Sequence, residues 1–191
     1  ALKGNDVTNG YILLATACDG SLATTAQFTS IRVVCNNTLA VALANGNRGV
    51  VKVPHNTSFD AQSVKKQLGI SVSAWDEFMY GLKNLSERKV KPAEAQNYVW
   101  RVFNDGGNKS STSSSNERAM AKVMTLFEGG GQGADLSSAK GTAFGLLNSI
   151  TEFVDHERRA LNPDNRLDSA WFGQGAAIKQ KALDEALLMI A

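Results

Sequence analysis

The sequence predicts an α+β fold: a small antiparallel sheet, a hairpin plus a third strand, followed by a helical layer of about five or six helices. Two observations carry this. The first fifty-odd residues hold short runs rich in Thr, Val, Ile and Phe, separated by turn residues. From about Thr57 the apolar residues recur at helical spacing instead. No internal repeat interrupts that order.

In the β-rich part, Tyr11 to Ala17 is an apolar run, and Cys18-Asp19-Gly20-Ser21 supplies a tight turn in which Asp and Gly tolerate positive φ. Thr24 to Val34 is the returning strand. Asn or Thr within Cys35-Asn36-Asn37-Thr38 is expected to cap a short helix running through Ala44. Val50 to Val53 is the third strand, closed by Pro54. The helical part then opens with a segment capped by Thr57 or Ser58 and stopped by Gly69. A second helix starts near Ser73, with Trp75, Phe78, Leu82 and Leu85 as its apolar stripe. Pro92 suits the first turn of a third helix ending at Phe103. Asn104 to Asn116, with its run Ser110 to Ser115, reads as a loop. Three further helical patterns are Glu117 to Phe127, Thr142 to Arg159 and Ala176 to Ile190. The division is thus a β-rich part with one short helix at 1–56 and a helical part at 57–191, expected to form one folded unit. The start without Met, close to a strand, suggests a fragment lacking an upstream portion.

Composition is that of an ordinary globular chain of 191 residues, with 43% hydrophobic and 20% charged residues. The net charge of +2 and pI near 8.6 permit contact with nucleic acid without demanding it. No apolar run is long enough to span a membrane, and the start does not resemble a signal peptide, so no membrane partner and a cytoplasmic location are expected. Cys18 and Cys35 are too few for a disulfide framework, which agrees with a reducing compartment.

Two stretches point to a family. One is Thr29-Ser30-Ile31-Arg32-Val33-Val34-Cys35-Asn36-Asn37-Thr38-Leu39, following the Cys-Asp-Gly-Ser turn. The other runs from Thr142-Ala143-Phe144-Gly145-Leu146-Leu147-Asn148 to Val154-Asp155-His156. With the tail Trp171-Phe172-Gly173-Gln174-Gly175, Lys179 and Ala182, they resemble the phage/plasmid-like proteins of domain-of-unknown-function family 932, from about Asn9 onward and in the later part of that domain. The resemblance implies a mobile-element setting and a cytoplasmic location. It implies no activity and no cofactor.

Candidate site residues each have a bland alternative. Cys35, expected at a strand-to-helix junction, is placed where a helix dipole lowers a thiol pKa, with His55 available to orient a base. A free Cys between Val33-Val34 and Leu39 is more simply a small buried hydrophobe. Asn148, Glu152, Asp155 and His156 fall on or near one helix side, so Glu152 and His156, with Asp155, could hold a metal or pass a proton. Glu and His at i, i+4 also make an ordinary stabilising pair. Gly129-Gly130-Gly131-Gln132-Gly133 follows a helix rather than a strand, and its spacing to Lys140 fits no phosphate loop, so it reads as a chain reversal. Arg32, Arg158, Arg159, Arg166, Lys179 and Lys181 form a scattered basic set; Lys179 and Lys181, early in the last helix, oppose its dipole unless an anion is near. A solvated face is the simpler account. Trp75 and Trp100 read as core, whereas Trp171, expected in a loop, is open to stacking on a base or a partner.

These readings favour a non-enzymatic nucleic-acid-associated protein of a phage, prophage or plasmid, acting in replication or recombination. Single-stranded DNA is the expected ligand, single-strand annealing one form, and a homo-oligomer the expected assembly; the contact would use Arg158, Arg159, Arg166, Lys179 and Lys181. One alternative is a hydrolase or nuclease using Cys35, or a metal on Glu152, Asp155 and His156. The other is a structural or interaction module.

Overall fold

The computed structural model describes residues 1–19, 23–41, 50–68, 72–104, 113–160 and 162–191. Strand β1 (Thr8–Ala15) pairs antiparallel with β2 (Thr24–Arg32), placing Thr8 opposite Arg32 and Ala15 opposite Thr25. On the other side of β2 lie two short antiparallel strands, end to end. β3 (Asn37–Ala40) pairs with Thr29 to Arg32, and β4 (Val50–Val53) with Thr24 to Gln27. β2 is therefore the central strand, and Thr25 to Ser30 are all buried.

The sheet is antiparallel as expected, with four strands rather than three, because the segment after Cys35 is not a helix. Asn36 adopts φ 55°, a left-handed turn conformation that Asn tolerates better than most residues. Its N–H donates to the Arg32 carbonyl at 2.8 Å, and the chain folds back as β3. An Asn–Thr pair can cap a helix or reverse a hairpin, and here pairing with the exposed side of β2 decides the outcome. The expected helix continues into 42–49, which lies outside the described residues, as do Gly20-Ser21 of the first turn and 105–112 of the expected serine loop.

Seven α-helices follow among the described residues: α1 (Ala61–Leu68), α2 (Val72–Glu87), α3 (Pro92–Phe103), α4 (Ser114–Thr125), α5 (Ala143–Glu152), α6 (Pro163–Trp171) and α7 (Gln174–Leu187). After α4 and after α5 the chain widens into π-type turns, Leu126–Gly130 and Phe153–Glu157. Helix α3 occupies the expected residues. Ser113 accepts from the Asn116 N–H and starts α4 inside the stretch read as a loop. Helix α6 was not foreseen; Asn162 caps it by accepting from the Asn165 N–H at 2.7 Å, and Pro163 fills its first turn.

The core forms where α2, α3, α5 and α7 meet, and Leu39 of β3 joins it. Every residue of α5 is buried, so this helix is the centre of the fold. Its start is fixed by Thr142, which accepts from the Gly145 N–H at 3.1 Å and donates to the Ser138 carbonyl at 2.7 Å. Gly145 allows that close approach: a Cβ there would sit 1.9 Å from the Ala139 carbonyl oxygen. Tyr98 of α3 is fully buried and donates its hydroxyl to the Ala182 carbonyl at 2.7 Å, tying α3 to α7. Trp75 of α2 packs between Phe28 of β2 and Phe78, with centroids 5.8 and 5.7 Å away, and joins the sheet to the helices.

Two buried ion pairs complete the sheet–helix junction. Arg32 of β2 donates to both carboxylate oxygens of Asp6, at 2.9 Å from Nε and 2.8 Å from Nη2, and to the Gly133 carbonyl at 3.1 Å. Lys179 of α7 donates to Asp155 at 2.7 Å and to the Thr38 hydroxyl at 2.6 Å. Each pair lies within one layer and is tied to the other layer by further hydrogen bonds, Arg32 to the Gly133 carbonyl and Asp6 to Ser138 on one side, Asp155 and Lys179 to Thr38 on the other, so strand and helix placement depend on one another.

Candidate nucleic-acid interface

The residues singled out from the sequence divide into structural anchors and groove residues. Cys35 lies in the β2–β3 turn, only 2% exposed, and not at a helix start. Burial pushes its thiol pKa up, against the smaller lowering effects of the Asn37 backbone and Arg32. Val33 and Val34, which suggested a buried run, are themselves exposed. His156 Nε2 meets the carbonyl of Cys35, not its sulfur, at 3.1 Å, so that nitrogen carries the proton. His55 is exposed in the turn after β4.

Glu152, Asp155 and His156 lie close together along one helix and π turn, yet each serves a different neighbour. Both Glu152 oxygens accept from the Gln132 N–H, at 3.0 and 3.1 Å, which anchors the glycine loop to α5. That loop reverses the chain as read, with Gly129 and Gly133 at φ 123° and 70°. Asp155 accepts from Thr38 N at 2.7 Å and Thr38 Oγ1 at 2.9 Å as well as from Lys179. The helix widens at Phe153, so spacings counted on an ideal α-helix no longer hold there. Among the described residues, no three His, Cys, Asp or Glu side chains stand together to hold a metal.

The basic set also splits. Lys179 is buried, and burial lowers its pKa while Asp155 opposes that fall. Its ammonium lies 5.5 Å from the centroid of Trp171, which ends α6 instead of sitting in a loop. Lys179 and Lys181 are two residues apart, about 200° around a helix, so they cannot share a face. Arg166 of α6 donates to the His156 carbonyl at 3.0 Å and does not line the site described next. Arg32 is buried against Asp6.

Arg158, Arg159 and Lys181 do come together. They line an open groove of about 850 Å³ between the end of α3, the start of α4, the π turn after α5 and the start of α7. Arg118 of α4 joins them; it had no sequence neighbour to announce it. Among the described residues, four cations line the groove against one carboxylate, Glu157, which is paired with Lys122 at 3.3 Å. Arg158 donates to Ser169 Oγ at 2.8 Å and to Gln174 Oε1, both neutral acceptors, so its positive charge is retained. Lys181 donates to the Asn104 carbonyl at 3.2 Å. Asn116 Nδ2 donates to the Phe103 carbonyl at 2.7 Å and fixes α4 against the end of α3. The groove floor is apolar: Val102, Ala177, Ile178 and the edge-to-face pair Phe103–Phe153, whose centroids are 5.8 Å apart.

Fold and site together define an α+β protein whose helical layer carries a cationic groove over an apolar floor. The model of the family described as "Domain of unknown function (DUF932)" matches residues 1–171, and the chain belongs to that family. Lys179 and Ala182, part of the pattern read from the sequence, lie beyond the match. No curated protein and no solved structure matches the chain. No helix among the described residues is long and apolar enough to cross a membrane.

Proposed function

We propose that this chain is a non-enzymatic nucleic-acid-associated protein that holds a phosphate backbone in the groove between α3, α4 and α7. The observation that carries this reading is the lining charge: Arg118, Arg158 and Arg159, joined by Lys181, while among the described residues the lining carboxylate is Glu157, itself paired with Lys122. Arginine guanidinium groups match phosphate oxygens in geometry as well as charge. The mobile-element setting and cytoplasmic location implied by the resemblance belong to the same proposal, as does annealing by an assembly of several copies.

The test is anisotropy of a labelled single-stranded oligonucleotide across a salt series. Contact with about three phosphates gives a log–log slope of about −2. Changing Arg118, Arg159 and Lys181 together to Ala removes most of the affinity and flattens the slope. Changing the exposed Lys65 and Lys66 of α1 to Ala removes the same kind of charge elsewhere and leaves binding unchanged. Equal losses in both variants would mean that net charge alone, not the groove, attracts the strand.

A further inference from the structure

We propose that the groove selects unpaired nucleotides, with a base seated on the Phe103–Phe153 floor while the phosphates lie along the cationic rim. This rests on the phosphate-binding reading above and adds what the rim alone does not specify.

Phe103 ends α3 and Phe153 begins the π turn after α5. Both rings are half-buried in the core and both line the groove, with their planes at 78°. Ile178 extends the apolar surface. A ligand that fills this site is therefore anionic at its edge and flat and apolar at its centre. Inorganic phosphate and the backbone of a duplex satisfy only the rim, because a duplex keeps its base faces inside its own stack. An unpaired nucleotide satisfies rim and floor together, and base–aromatic stacking is tolerant of sequence. Two amides on the lining add hydrogen-bonding capacity for a base edge. Asn116 spends its Nδ2 on the Phe103 carbonyl and Gln174 its Oε1 on Arg158, so one presents an acceptor and the other a donor. An anionic membrane surface, which also couples charge to apolar matter, is too broad to reach a floor lying between helices.

The experiment compares four probes on the intact chain at low salt: a labelled oligothymidylate, an abasic deoxyribose-phosphate strand of equal length, a duplex, and vesicles of an anionic phospholipid. Stacking of one base corresponds to roughly 5- to 150-fold in affinity. The expected result is oligothymidylate bound at least about tenfold more tightly than the abasic strand or the duplex. Phe153→Leu, which keeps an apolar side chain against the core but loses the aromatic face, brings oligothymidylate down towards the abasic level, so that the ratio of the two affinities falls towards one. Equal binding of oligothymidylate and the abasic strand would overturn the stacking inference while leaving the phosphate groove standing. Binding of neither would end both. Vesicle binding as tight as that of oligothymidylate would replace the nucleic-acid reading with a lipid one.

Discussion

Lys179 separates a structural reading of the basic set from a ligand-binding one, and Lys179→Met tests it directly. Its side chain and that of Asp155 are only 5% and 7% exposed, and the substitution removes the bonds to Asp155 and Thr38 together. Asp155 is left as a buried carboxylate without its cation. Breaking a buried pair from one side costs about 3–5 kcal/mol. Asp155 keeps two donors from Thr38, at 2.7 and 2.9 Å, which places the loss near the lower end, about 3 kcal/mol. For a chain of this size that corresponds to a fall in Tm of about 6–12 °C. Urea unfolding and thermal melts at neutral pH measure it. Asp155→Asn combined with Lys179→Met removes both charges and recovers a good part of the loss, since the isolated carboxylate causes most of the damage. A single variant within about 1 kcal/mol of the parent would refute the argument. So would a double variant no more stable than the single.

Three further outcomes follow from other residues. Gly145→Ala, which in an exposed helix would gain about 1 kcal/mol, instead destabilises by about 2 kcal/mol or more, because the new Cβ meets the Ala139 carbonyl; a urea titration reads the sign. In the folded protein a thiol reagent labels the exposed Cys18 quickly, whereas Cys35 reacts only after denaturation, giving two free thiols in all by mass spectrometry. Burial holds the Cys35 pKa above its ordinary 9.0, so above that pH the unfolded chain loses a proton that the folded chain keeps. Stability therefore falls as pH rises from 9.0 towards the folded pKa, and comparison with Cys35→Ala in urea titrations shows that component of the slope disappearing.

Elements governed by local chemistry were legible without the fold. Pro92 at a first helical turn placed α3, the β-branched run Thr24 to Val34 placed the central strand, and the glycines at 129–133 marked a chain reversal. Where local chemistry was ambiguous, long-range pairing decided. Asn36-Asn37-Thr38 suits a helix cap and a hairpin turn equally, and the open side of β2 selected the turn. Helix α6 carries a capping Asn and a Pro, but its weak apolar pattern hid it.

The site divides in the same way. That Arg158, Arg159 and Lys181 are basic and near helix ends is written in the sequence. Their company is not: Arg118 reaches them from α4, whose start Asn116 ties to the end of α3. Burial is decided in three dimensions as well, since the charge of Lys179 reads the same whether it faces solvent or a carboxylate 24 residues away. Local sequence determined which segments turn, extend or coil, because those choices depend on neighbours a few residues apart. Only the packing of α3, α4, α5 and α7 around one core decided which charges pair inside and which line the groove, because charges far apart in sequence come together only when the core forms.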